Sequence, residues 1–253
     1  MHIKIFLVMP LAFLCEFIDS SLGMGYGTSL TPILLLMGFE PLQVVPAVLF
    51  SEFVSGITAA FFHHSVRNVN LKPKSKDAHV ALVLAIFSII GVLAAVFLAI
   101  KLPPKILKTW IGIIVVSMGI FIIATFKHRP RFNWGKITLL GTIASFNKGL
   151  SGGGYGPLVM GGQILSGIGI KNAVGITSLA EGLTCLVGVT LYFFLQSDVD
   201  WVLAPWLMAG AVLSIPFAAH ALKRLSEKKV KLTIAILMLL LGGWTLLKVL
   251  LHA

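Results

Sequence analysis

The sequence is poor in charge: 11% of its 253 residues are Asp, Glu, Lys or Arg, and only 9 of them are acidic. Soluble domains carry about 25% charged residues, so a water-exposed globule is excluded. Cysteine is nearly missing as well. Cys15 and Cys185 stand alone inside apolar runs, with no second sulfur nearby and no metal-ligand spacing, so neither a disulfide framework nor a metal centre is expected. A Walker pattern and a dinucleotide fingerprint following a strand are also lacking, and no cofactor is expected.

What is present is apolar. Hydrophobic residues make up 57% of the chain and the mean hydropathy is +0.98, the values of a multi-pass membrane protein. An excess of 20 Lys and Arg over 9 acids would point to nucleic acid in a soluble chain. In this chain the basic residues fall in short gaps between apolar runs, where they fix orientation, so no nucleic-acid partner is expected. The opening MHIKIFLVMPLAFLCEF has the Lys4 and apolar run of a signal peptide, but no small-x-small cleavage site. It runs on into Glu16 and Asp19 and is read as a retained first segment.

Crossing about 30 Å of hydrocarbon takes about 20 helical residues. Six runs are long enough: 42–64, 78–100, 104–126, 171–195, 200–221 and 230–251. Four more remain, 3–22, 28–38, 137–149 and 157–167, and the last three are so short that they read as re-entrant or broken.

The stretch SLGMGYG, Ser21 to Gly27, recurs as SGGGYG, Ser151 to Gly156. An ungapped offset of 129 lays Tyr26 on Tyr155, Phe17 on Phe146, Gly38 on Gly167, Val45 on Val174 and Glu52 on Glu181. Nine identities fall in 49 positions, four of them within Gly23 to Gly27 and one of them an intramembrane Glu. The clustering predicts two copies of one unit, residues 1–128 and 129–253, forming a single transmembrane domain. Each copy has two short or re-entrant elements and three transmembrane helices.

Loop charge predicts that the copies are inverted. The gap after the first long run carries Arg67, Lys72, Lys74 and Lys76, whereas its counterpart is QSDVD, with two acids and no base. The first is cytoplasmic by the positive-inside rule and the second is not. Basic gaps at Lys127–Lys136 and Lys223–Lys231 join the cytoplasmic side, and only the 101–108 gap, with Lys101, Lys105 and Lys108, is basic outside. The expected architecture is therefore an all-α membrane protein with an inverted-topology repeat and both termini outside.

Gly23, Gly25 and Gly27, like Gly152 to Gly156, are too Gly-rich to hold helix, at about 1 kcal/mol each relative to Ala. Irregular backbone at membrane depth is tolerated only where protein or water buries it. A break there exposes amide groups at the start of the next helix, expected at Thr28 and Pro157, and such ends favour anions. The candidate binding residues are Gly25, Tyr26 and Gly27 in one copy, and Asn147, Lys148, Gly153, Gly154 and Tyr155 in the other. Glycine used only for close helix packing is the plain alternative.

Glu16, Asp19, Glu52, Lys148 and Glu181 lie within apolar segments, where each charge costs upward of about 2.5 kcal/mol. They must face a cavity or one another. Lys148 aligns with Asp19, so the two either pair across the repeat, or Lys148 supplies positive charge to an anionic ligand. Glu52 and Glu181 could carry protons or accept hydrogen bonds at a kink. His63 and His64 read as interfacial, and Trp110, Trp134, Trp201, Trp206 and Trp244 as an interfacial belt.

The paired Gly-rich Tyr-Gly junctions, each followed by a helix carrying Glu within about 250 apolar residues, resemble the TauE/SafE family of sulfite and organosulfonate exporters. The resemblance implies a plasma-membrane secondary transporter, in a bacterium the inner membrane, that moves sulfite or sulfonates such as sulfoacetate outward, with protons as a candidate coupling ion. Lys148 opposite Asp19 departs from strict symmetry. The residues agree: a compact oxyanion asks for amide donors, a cation and a hydroxyl, which the junctions, Lys148, Tyr26 and Tyr155 offer. Two rivals stand beside this reading. One is a passive anion channel. The other is a rhomboid-like serine protease, because Gly149 to Gly153 satisfies G-x-S-x-G and His220 lies in another helix, although Ser151 aligns with Leu22. A homodimer could use faces such as Gly112-xxx-Val116 or Gly242-Gly243.

Overall fold

The computed structural model describes residues 2–124, 134–196, 201–222 and 227–251. The 128/129 boundary lies outside these residues, as do most of the loop charges at 127–133, 197–200 and 223–226. Ten helices follow in order: α1 His2–Leu22, α2 Tyr26–Leu36, α3 Pro41–Ser65, α4 Lys76–Ala99, α5 Pro104–Ala124, α6 Trp134–Ser151, α7 Tyr155–Leu165, α8 Ile170–Leu195, α9 Ala204–Ala221 and α10 Glu227–Leu251. The fold is an all-helical membrane protein. Among the described residues five helices, α3, α4, α5, α8 and α9, are long and apolar enough to cross a bilayer.

Local chemistry sets the ends. Glu40 and Gln43 form a capping box at the start of α3, with Pro41 in its first turn, where the missing N–H leaves nothing unpaired. Ser75 caps α4 by accepting from the Ala78 amide at 3.2 Å. The short elements begin at Tyr26 and Tyr155, two residues earlier than expected, and each has 11 residues.

One length differs from expectation. The apolar run 137–149 reads as a fragment, yet α6 extends over 18 residues. The helix begins three residues before that run and ends two after it, and Lys148 within it is fully buried with two carboxylate partners and is no reason to stop. Each half thus has one short helix rather than two.

Packing partners exchange between the halves. α1 lies along α9 while its counterpart α6 lies along α4, and α3 touches α9 as α8 touches α4. The equivalent pairs α3 and α8, and α5 and α10, pack on each other. α3 and α8 cross antiparallel: the Gln196 side chain reaches the Leu42 carbonyl, and at mid-length a Cβ on Gly56 would stand 3.0 Å from Gly182 Cα. Helices at equivalent places in the sequence thus make equivalent contacts.

The small-residue faces named for a homodimer are used within the chain. A Cβ on Gly112 would fall 2.8 Å from Leu246, and one on Gly242 would fall 2.9 Å from the Val116 amide, so this face holds α5 against α10. Gly243, the neighbour of Gly242, has open space beside it. Exposed aliphatic and aromatic side chains, Ile86, Ile90, Phe194 and Leu240 among them, form the outer surface expected of a chain solvated by lipid. Trp110, Trp206 and Trp244 share that surface, while Trp201 stacks edge-on against Phe50 at 5.8 Å. The Trp134 side chain lies outside the described residues.

Candidate functional site

Both glycine stretches break their helices. Gly25 turns the chain at φ 134° and Gly154 at φ 82°, backbone conformations that L side chains rarely adopt. The two breaks lie against each other. A Cβ on Gly27 would overlap the Gly152 carbonyl, one on Gly153 would stand 2.6 Å from the Thr28 amide, and one on Gly156 would stand 2.6 Å from the Gly23 carbonyl. Glycine is therefore required at Gly27 and Gly153 for backbone to meet backbone.

The two junctions are chemically unlike. At the first, Asp19 accepts from the Tyr26 amide at 3.1 Å, so a carboxylate of the chain itself occupies the start of α2. At the second, the residue in the same place is Lys148, and no side chain among the described residues accepts from the Tyr155 amide. Asn147 faces this end: a Cβ on Gly154 would stand 3.5 Å from its Nδ2, and the buried Asn147 side chain has no hydrogen-bond partner among the described residues.

Lys148 does not pair with Asp19. Its ammonium, fully buried, donates to Glu181 Oε1 at 2.7 Å and to Glu52 Oε2. These glutamates sit midway along α3 and α8, so one lysine from α6 joins the crossing pair. Glu16 accepts from Ser20 at 2.6 Å and from Ser55 at 3.1 Å. The four acids Glu16, Asp19, Glu52 and Glu181 line one cavity with Ser55, Gly56 and Ser178. Its volume, counted as space open to the centre of a water, is about 10 Å³, the size of a single water site. A sulfur oxyanion does not fit, so this conformation is closed at its centre.

The tyrosines are placed differently from expectation. Both are fully buried, but their hydroxyls are engaged away from the acids, that of Tyr26 with Ser51 at 2.7 Å and that of Tyr155 with Ser88 at 3.3 Å. They brace the junctions and offer no free hydroxyl. His63 is buried, not interfacial. It donates from Nε2 to the Ser20 carbonyl at 2.8 Å and accepts from Asn68 at Nδ1, while Asn68 also donates to the Ala219 carbonyl. One side chain thus ties the end of α1 to α3, and through Asn68 to α9.

Ser151 serves the junction. It donates to the Asn147 carbonyl at 2.8 Å and accepts from the Gly153 amide, with no histidine among its partners. His220 is exposed and bonds the Pro216 carbonyl. The G-x-S-x-G pattern therefore marks a turn, and no Ser–His pair stands behind it among the described residues.

The sequence missed Ser20, Ser55 and Ser178, although a signal was available. Ser20 lies four residues after Glu16, Ser55 three after Glu52 and Ser178 three before Glu181, all on the faces of the intramembrane acids.

The family model described as sulfite exporter TauE/SafE matches residues 8–245. The probable membrane transporter protein YtnM of Bacillus subtilis is 27% identical over 260 residues, covering 96% of this chain and 83% of that protein. A probable membrane transporter protein of Methanocaldococcus jannaschii is 24% identical over 271 residues, covering 98% of each. No solved structure matches.

Proposed function

This chain belongs to the sulfite exporter TauE/SafE family and is a membrane transporter; from that premise we propose that it is a secondary active transporter of small sulfur-containing anions, sulfite or organosulfonates such as sulfoacetate, exported across the plasma membrane with proton coupling. Both termini lie outside. The anion binds at the second junction, against the start of α7, with Lys148 as counter-charge and Asn147 as a donor.

One observation carries this reading: the fully buried Lys148 holds the sequence place equivalent to Asp19, and no side chain among the described residues fills the leading amide of α7, whereas Asp19 fills that of α2. The start of an 11-residue helix favours negative charge, and Asp19 shows which kind of group such an end accepts. The closed centre supports alternating access over an open channel, because the anion enters only when the junctions separate.

The test is calorimetry and thermal shift on the purified protein with sulfite, sulfoacetate, taurine, sulfate and simple carboxylates. A ligand at a hundred times its Kd stabilises by about 2.7 kcal/mol. Sulfite or a sulfonate is expected to give the largest shift. A response to carboxylates alone, or to none of these anions, contradicts the reading.

A further inference from the structure

Two carboxyl groups, Glu52 and Glu181, hold the buried Lys148 ammonium, and together with Glu16 and Asp19 they line one small cavity. Each of the four has a donor: Glu16 from Ser20 and Ser55, Asp19 from the Tyr26 amide, and Glu52 and Glu181 from Lys148. Glu52 is different. One of its oxygens takes Lys148, but Oε1 is buried without a donor among the described residues; the residue is only 3% exposed and lines the cavity.

The groups that face Glu52 do not repair this. α1 brings Cys15, Glu16 and Asp19, α2 brings Tyr26, α6 brings Lys148, and α8 brings Glu181 and Cys185. The Tyr26 hydroxyl is engaged with the Ser51 hydroxyl and the Leu207 carbonyl. α5 carries only Lys105 and Lys108, at the end beside Glu40, and α9 only the exposed His220.

Building on the anion site at Lys148, we propose that an anion arriving there displaces the Glu52 carboxylate, and that Glu52 takes up one proton from solution as it is released. The charges balance. A monoanion adds one negative charge and the proton one positive charge, so the net charge of the buried cluster is the same before and after. Without the proton, Glu52 would be left as an ionised carboxyl in a buried cavity shared with three other acids and with no counter-charge, an arrangement that protein interiors avoid. Anion and proton then cross as a neutral pair. Flux follows the product of their two gradients, and is outward when the anion is concentrated enough inside to exceed the opposing pH difference.

The test uses the whole protein in uncharged detergent, weakly buffered without sulfonates near neutral pH. The probe is methanesulfonate, whose own charge is constant in this range. On saturation, uptake of about one proton per protein is expected, read as a rise in pH and back-titrated with acid. Affinity is expected to strengthen about tenfold for each unit fall in pH. In Glu52→Gln, which has the shape of the protonated side chain, binding is expected to persist with no proton uptake. Wild-type binding without uptake would overturn the proposal and leave the anion site standing. A folded Glu52→Gln that no longer binds, or that still takes up a proton, would also overturn it. If that variant does not fold, the wild-type proton count decides alone. Failure of methanesulfonate, ethanesulfonate and sulfite to bind the wild type would overturn the anion site itself, and this proposal with it.

Discussion

Lys148 of α6 and Glu181 of α8 are joined at 2.7 Å, and the same buried ammonium reaches Glu52 of α3, so one side chain ties a broken helix to the crossing of the two long equivalent helices. Removing one member of a buried ion set leaves the others without counter-charge, which costs about 3–5 kcal/mol.

Lys148→Ala is therefore expected to lose anion binding and also several kcal/mol of stability. Thermal unfolding should show the melting point falling well below that of Lys148→Met combined with Glu52→Gln and Glu181→Gln. In that triple variant the whole ion set becomes neutral and no charge is stranded. Equal melting points for Lys148→Ala and wild type would contradict the ion set.

Gly27→Ala is expected to be severe, because its Cβ would overlap the Gly152 carbonyl, which is backbone and cannot step aside. Gly243→Ala is the matched control. It has open space in α10, and replacing a helical Gly by Ala gains up to about 1 kcal/mol. Yield and melting point of the two proteins in detergent provide the comparison, and similar values would argue against contact between the junctions.

Asp19→Ala should cost about 1–2 kcal/mol, since the Tyr26 amide loses its acceptor at the start of α2. Asp19→Asn, which retains a carbonyl acceptor, should recover part of that loss. Chemical unfolding measures both, and no difference between Ala and Asn would indicate that the carboxylate does not serve the helix end.

His63→Ala should destabilise by about 2–4 kcal/mol. It opens a cavity and leaves the Ser20 carbonyl and the Asn68 amide without their partner. Hydrogen exchange should show the end of α1 and the loop after α3 opening first. Unchanged protection there would contradict the tie.

Much of this was legible in the residues. Composition gave the membrane class, and the run of glycines with Tyr26 and Tyr155 gave the two breaks, because glycine interrupts helix whatever surrounds it. Long-range pairing was not legible. Offset arithmetic puts Lys148 opposite Asp19, but equivalence in a repeat is not contact, and the lysine instead reaches Glu52 and Glu181, two acids in other helices that are equivalent to each other at the same offset. The length of α6 was misread because an apolar run is narrower than its helix: the run covers 137–149, whereas the helix continues from Trp134 to Ser151. His63 looked interfacial because its partners, Ser20 and Asn68, are known only from the fold.

The most direct measurement is uptake of radiolabelled sulfite by proteoliposomes holding either wild type or the neutral triple variant Lys148→Met, Glu52→Gln, Glu181→Gln. Saturable uptake by the wild type is expected to be lost in the triple variant while its melting point stays near that of the wild type. Equal uptake by the two proteins would contradict the placement of the anion at Lys148.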